Sequence, residues 1–328
     1  MELATLIAIL KEGSVYAIAA AGLTFVLLCA EIDLAVGTMA LWGGCFSGWL
    51  YVNWSFFRWW VIVDWCGLQG IPIEQWQPGP GATQAVSIAA LAMVVLLPLL
   101  SCLVLGFISG ILTVVSRLPS FIITLAMMYI AEGTAKYVTQ SASAKMPEFL
   151  RKVGNEGVQL WDVADSPGEG LVLPYIAILA GVVLLVGHLV LQHTRFGRYI
   201  YMTGGNREAA RLAGVRTNWI VVACLTICAV TAGLGGIVNA GRIGTASLNL
   251  NSALLISAVA CVVLGGTSLF GGEGSMFKTL VGVTIFTVLE AGFNRVVWID
   301  DLARDLLTGV VLMAVLVMNG VLAQRGKT

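Results

Sequence analysis

The sequence predicts an all-α fold, a polytopic membrane helical bundle of about nine to ten transmembrane helices with broken or re-entrant segments. Three observations predict it. Residues of the AVILMFWYC set make up 58% of the 328 residues and charged residues only 11%, where an ordinary soluble domain carries roughly 25% charge. The mean hydropathy is +0.91. Apolar stretches also recur at about the 17–25 residues that cross a bilayer. With so few charges, a soluble body of this size has too little polar surface to cover itself. Net charge is zero and no basic tail occurs, so nothing recommends nucleic acid or another polyanion as partner.

The apolar runs fall at 13–30, 36–52, 84–115 (with Pro98 as the place for a bend), 120–138, 171–192, 219–241, 252–268, 276–293 and 304–320. Together they form one transmembrane domain, 1–328. No cleavable signal is expected, because Lys11 and Glu12 precede an apolar run too long for an h-region and no A-x-A-like site ends it. Two longer polar loops remain, 53–83 and 139–170. The segment 193–218 holds Arg195, Arg198, Arg207, Arg211 and Arg216 against one acid, Glu208, which assigns it to the cytoplasm. Counting spans outward then puts 53–83 and 139–170 outside and Arg117, Arg325 and Lys327 inside. Trp54, Phe56, Phe57, Trp59, Trp60 and Trp65 read as an interfacial collar or, alternatively, as a contact surface for an outside partner.

Cys29, Cys45, Cys102, Cys224, Cys228 and Cys261 lie in apolar runs and only Cys66 in a polar loop, which argues against a disulfide framework. Cys224 and Cys228, spaced i, i+4, suit close helix packing. His188 and His193 have no carboxylate or thiol company, so no metal site is expected.

Two helix-breaking segments join apolar runs, Glu31-Ile32-Asp33-Leu34-Ala35-Val36-Gly37 and Gly265-Gly266-Thr267-Ser268-Leu269-Phe270-Gly271-Gly272-Glu273-Gly274-Ser275. Non-helical backbone at membrane depth survives only where protein or a wet cavity satisfies it, and paired breaks point to a transport path. Two short cytoplasmic turns explain the pattern as well, and Asp33 also suits a helix N-cap. Glu290 lies inside an apolar run, where an acid costs about 2.5–3.5 kcal/mol on insertion scales and so faces the bundle interior or a cavity. Both a path role and an interhelical hydrogen bond stay open for it. Asn239, Asn249, Asn251 and Asn294 fall near helix ends and offer donors and acceptors to a polyhydroxylated solute; cap duty is the other reading for Asn249 and Asn251.

No P-loop G-x-x-x-x-G-K-[ST] occurs, since Phe277 precedes Lys278-Thr279, and no G-x-G-x-x-G follows a strand. The chain is not expected to bind ATP by itself. No Ser/His/Asp set, paired-carboxylate cleft or H-E-x-x-H is present, so no catalytic residue, no metal and no cofactor of the chain's own are expected.

Three segments carry a family resemblance. Ile32-Asp33-Leu34-Ala35-Val36-Gly37 resembles a G-I-D-L-S-V-G motif. Thr194-Arg195-Phe196-Gly197-Arg198, followed by Gly204-Gly205-Asn206-Arg207-Glu208-Ala209-Ala210-Arg211-Leu212-Ala213-Gly214, resembles T-x-x-G-R and G-G-N-x-x-A-A-R-L-x-G-I. Val263-Leu264-Gly265-Gly266-Thr267-Ser268-Leu269 with Gly271-Gly272-Glu273-Gly274-Ser275 is the third. From about residue 13 onward the chain is similar to the permease subunits of bacterial ATP-binding-cassette importers for ribose and related monosaccharides. The resemblance implies a homo- or heterodimer of permeases in the bacterial inner membrane, two cytoplasmic ATPase domains that use ATP and Mg, and a periplasmic solute-binding protein. It makes Gly204, Gly205, Asn206, Glu208, Ala209, Ala210, Arg211, Leu212 and Gly214 the ATPase-coupling helix. Gly37, Gly265, Gly266, Thr267, Ser268, Gly271, Gly272 and Gly274 are its structural motif.

There are departures from the family pattern. Relatives usually carry a transmembrane helix before the region matching residue 13, and Glu31 stands where they have glycine. Ala253-Leu254-Leu255-Ile256-Ser257-Ala258-Val259-Ala260 replaces a run that often holds acids. The 53–83 loop is also longer. The expected function is inward passage of a monosaccharide, with Glu31, Asp33, Asn239, Glu290 and Asn294 as path candidates. A nucleoside, inositol or signalling furanose is the alternative solute. An ion-coupled secondary transporter using Asp33 and Glu290, or a non-transporting structural subunit, are the rival classes.

Overall fold

The computed structural model describes residues 3–53, 80–161, 171–248 and 253–295, together with 306, 307, 309, 310 and 313. Within these, helices dominate. They are α1 (Leu3–Leu28), α2 (Val36–Val52), α3 (Pro80–Ser116), α4 (Ser120–Thr139), α5 (Glu148–Asn155), α6 (Tyr175–His193), α7 (Arg195–Gly205), α8 (Arg207–Leu212), α9 (Thr217–Ile243), α10 (Leu254–Leu264) and α11 (Met276–Arg295). Among the described residues, six stretches are long and apolar enough to cross a membrane: Thr5–Leu28, Ala92–Ser116, Ser120–Thr139, Tyr175–His193, Thr217–Ile243 and Met276–Arg295. The helical membrane bundle is therefore present, with these six among the nine expected spans.

α9 is the centre, packed against α1, α2 and α3. Small residues permit the approach. A Cβ at Gly236 would overlap the Ala40 carbonyl, and one at Gly43 would lie 2.7 Å from the Gly233 carbonyl oxygen. Without a hydrophobic drive between helices in lipid, such close backbone packing supplies the association. Cys224 and Cys228 share this seam, fully buried, with the Cys224 sulfur 3.4 Å from that of Cys29. α1 also packs on α6, α10 and α11.

At the far end from Leu28, short strands and α5 close the bundle. β1 (Ala144–Lys145) pairs antiparallel with β4 (Thr245–Ala246), and β2 (Gly157–Trp161) with β3 (Leu171–Pro174). Asn155 donates to the Arg242 carbonyl at 2.7 Å, and Lys11 donates to the Asn155 carbonyl at 2.6 Å. Residues 139–161, read as loop, thus hold α5 and two strands.

Several expectations are corrected. The run read as 13–30 begins at Leu3, so Lys11 and Glu12 lie inside α1, because the apolar sequence continues back from them. The run 171–192 opens as strand and turns helical only at Tyr175, after Pro174 at ψ 140; a residue before proline is pushed toward extended backbone. The run 252–268 yields only the 11 residues of α10, ended by Gly265 and by Gly266 at φ +85. At 1.5 Å per residue that is about 16 Å, half a bilayer core. Asp33 is not the N-cap of α2; Ala35 is, and Asp33 accepts its N–H at 2.8 Å. The segment 204–214, read as one helix, is split at Asn206 between α7 and α8. Trp54, Phe56, Phe57, Trp59, Trp60, Trp65, Cys66, Asn249 and Asn251 lie outside the described residues, as does most of 304–320.

Candidate functional site at the meeting of three chain breaks

The first break follows α1. Ala30 takes a left-handed φ of 60, the Glu31 N–H donates to the Val26 carbonyl at 3.2 Å and the Ala30 N–H to Leu27 at 2.9 Å. This is a Schellman ending, with alanine where glycine is usual. The non-helical stretch beyond it is satisfied by protein, as membrane-depth backbone must be. Ile32 N–H donates to Ser120 Oγ at 2.9 Å and Leu34 N–H to Thr124 Oγ1 at 3.1 Å, both from the first turns of α4. Glu31 and Asp33 are buried, 8% and 4% exposed.

The second break is Asn206. Its backbone is extended, φ −158 and ψ 103, and its side chain accepts the Ala209 N–H at 3.0 Å, capping α8. α8 then closes on Gly214 at φ +83, again in a Schellman pattern with Val215 N–H to Ala210 O and Gly214 N–H to Arg211 O, both 3.0 Å. The helix is two-faced. Ala210 is buried; Leu212 is 85% exposed, and Glu208 and Arg211 pair at 3.0 Å on the outer surface. Arg207 reaches the other way and donates to Glu31 Oε1 at 2.8 Å. That side chain of Glu31 is only 10% exposed, so the pair joins α8 to the linker between α1 and α2.

The third break runs from Gly265 to Ser275. Gly266 at φ +85, with its N–H to Val263 and the Thr267 N–H to Val262, ends α10 in the same motif. Further along, the Gly272 N–H donates to the Leu28 carbonyl at 3.0 Å. A Cβ at Gly204 would overlap that same carbonyl and stand 2.8 Å from the Gly272 nitrogen. The three breaks therefore converge on the last carbonyl of α1. Tyr201 of α7 donates to the Gly274 carbonyl at 2.9 Å, and burial pushes its phenol pKa up, keeping it a donor. Thr24 and Thr279 hydroxyls, 2.7 Å apart, bind α1 to α11 just above.

The other path candidates are elsewhere. Asn239, buried at the far end of α9, accepts from Arg242 at 3.2 Å. Asn294 is exposed beside Arg295, which contacts Thr5. Glu290 accepts from Tyr16 of α1 at 3.2 Å, the interhelical hydrogen bond of its two readings. Glu31 and Asp33 thus share one end of the bundle, and Asn239 and Asn294 share the other. The residues missed from sequence are Arg207, Leu28, Tyr201, Ser120 and Thr124. A signal existed for Arg207, since a buried acid at 31 demands a cation and the arginines cluster at 195–216. Among the described residues no His, Cys, Asp and Glu cluster could hold a metal ion. The arrangement joins α1, the α7–α8 corner and the 265–275 segment through backbone contacts and one ion pair.

Comparison with known proteins gives the joint its context. The profile of the family described as branched-chain amino acid transport system, permease component, matches residues 5–316. The ribose import permease protein of Escherichia coli strain K12 is 31% identical, over 95% of this chain and 84% of its own length. The ribose import permease protein of Haemophilus influenzae is 29% identical, over 95% of this chain and 84% of that one. The fructose import permease protein of Rhizobium meliloti is 28% identical, over 94% and 76%. No solved structure matches significantly. With the profile covering nearly the whole chain and the helices of a membrane bundle beneath it, the chain belongs to this family of transport-system permease components, as a multi-pass subunit of the inner membrane.

Proposed function

We propose that this chain is the membrane subunit of an ATP-binding-cassette importer that passes a monosaccharide inward. It pairs with a second permease chain, two cytoplasmic ATPase domains that consume ATP with Mg, and a periplasmic binding protein. The bundle has nine to ten spans in all, with the α7–α8 end in the cytoplasm and the 53–83 and 139–170 loops outside, in keeping with the arginine-rich segment. The sugar comes from the relatives, whose names specify ribose and fructose.

One observation carries the reading: α8 turns Glu208, Arg211 and Leu212 outward while Arg207 holds the buried Glu31. An ATPase seated on the outer face of α8, along Gly204 to Gly214, pulls directly on the α1–α2 linker. Binding of ATP in the partners then favours one of two bundle states, and transport follows from unequal solute affinity in those states. Asp33 and Glu31 serve the inner end of the path and Asn239 and Asn294 its outer half, while Glu290 ties α11 to α1 through Tyr16.

The test uses proteoliposomes. The chain alone neither hydrolyses ATP nor accumulates sugar under a proton or sodium gradient. Adding the cognate ATPase, binding protein and ATP, with any second permease chain, produces concentrative uptake that survives collapse of the ion gradient. Ion-driven accumulation by the chain alone overturns the reading.

A further inference from the structure

One acid inside a membrane-spanning helix is absorbed by nothing above. Glu132 lies 12 residues into α4, about 18 Å along its axis. An ionisable residue at such depth is costly and belongs at a cavity or a partner rather than against lipid. It has both. Lys136, one turn on, donates to Glu132 Oε1 at 2.6 Å. Glu132 also lines a cleft of about 220 Å³ between α2, α4 and α10, with Gly37, Thr38 and Leu41 on one wall and Met128 and Leu255 opposite.

We propose that the Thr38–Glu132 cleft is a binding site for a small neutral polyhydroxylated solute, a monosaccharide or cyclitol. This rests on the importer reading and gives it a solute site. The volume lies below the ~300–1,000 Å³ of ordinary ligand pockets, which suits a single sugar ring. The acceptor set suits vicinal hydroxyls. A carboxylate accepts at about four lone-pair positions and Lys136 engages one oxygen. The Thr38 hydroxyl spends its proton on the Ala35 carbonyl at 3.0 Å, so it faces a ligand as an acceptor. Leu41, Met128 and Leu255 give apolar surface for the C–H faces of a ring. The Glu132–Lys136 pair is neutral overall, so a charged solute gains no uncompensated partner there.

Position adds the link to transport. Thr38 sits on the first turn of α2, hydrogen-bonded to the linker that Glu31 ties to Arg207. α4 supplies Ser120 and Thr124 to that linker and Glu132 to the cleft. The joint is thus bonded to both walls of the cleft.

The experiment has two arms, both on the complete importer in proteoliposomes. In the first, labelled D-ribose, D-fructose, D-galactose, myo-inositol and L-leucine are offered to wild type, Glu132→Gln and Thr38→Val, with uptake scored per inserted chain. At least one neutral polyol is taken up by wild type, L-leucine is not, and each variant loses more than tenfold. In the second, Thr38→Cys is labelled with a small methanethiosulfonate reagent against the wild-type background, and the transported polyol slows labelling at least fivefold where L-leucine does not. Wild-type uptake with unimpaired Glu132→Gln and Thr38→Val overturns the cleft and leaves the importer standing. So does a Thr38→Cys chain that is unlabelled, or labelled without protection. Uptake of L-leucine in place of every polyol overturns the solute class, and no ATP-dependent uptake at all overturns the importer itself.

Discussion

The joint around Leu28 and the cleft around Glu132 are neighbours built on opposite principles. In the joint, backbone touches backbone: Gly204 and Gly272 close on the Leu28 carbonyl, and left-handed residues end α1, α8 and α10. At Gly204 no room is left for a side chain. In the cleft, flexible side chains from three helices surround about 220 Å³ of space. Close-packed interiors transmit displacement because they do not compress, whereas a site that must take up and release a solute needs room. On the proposed reading, one region passes motion on and the other holds cargo.

That contrast breaks or sharpens under substitution. The largest expected effect is at the joint. Gly204→Leu forces a side chain into the Leu28 carbonyl, so a loss of about 3 kcal/mol or more is expected, the upper end for overpacking. It reads as loss of folded chain in detergent-based thermal unfolding, and a normally stable Gly204→Leu protein would erase the contrast. Arg207→Gln comes next, since it strands the buried Glu31 carboxylate. The arginine is 46% exposed, which reduces the cost to about 1–2 kcal/mol. The exchange Glu31→Arg with Arg207→Glu recovers part of that loss if the pair acts as a unit. Glu208→Arg sharpens the comparison differently. Glu208 is exposed, so stability stays within about 0.5 kcal/mol while uptake falls and ATP hydrolysis no longer follows it. Retained coupling in that variant removes α8 as the docking element. The smallest effect belongs to Glu290→Gln. The amide oxygen still accepts from Tyr16, and uptake within twofold of wild type is expected; a tenfold loss returns Glu290 to the path.

Much of the frame was legible in the sequence. Apolar runs located α2, α4, α9 and α11 to within a few residues, because long uninterrupted hydropathy in lipid leaves little choice but helix. The breaks after Cys29 and after Leu264 were legible too, from acid and glycine interrupting apolar sequence. What hydropathy could not reveal was where a helix starts inside an apolar run: 171–174 is as apolar as the helix that follows yet forms strand, and α1 runs back through Lys11 and Glu12 to Leu3. Tertiary convergence was hidden as well. Glu31 and Arg207 are 176 residues apart, and no local pattern encodes their meeting. Glu132 carries no signal of its own in the sequence, because Lys136 one turn on gives it the pattern of an ordinary i, i+4 ion pair.

The bond from Gly272 to Leu28 has a consequence for how the protein is made. A chain emerging from the ribosome at roughly 5–20 residues per second completes α1 on the order of ten seconds or more before Gly272 exists. During that wait the Leu28 carbonyl lacks the Gly272 N–H, and the Glu31 carboxylate lacks its cation until Arg207 is made. Until then α1 must be held by water, lipid headgroups or the insertion machinery at its trailing end. A nascent chain stopped short of residue 207 therefore presents an unfinished helix terminus with an unpaired acid.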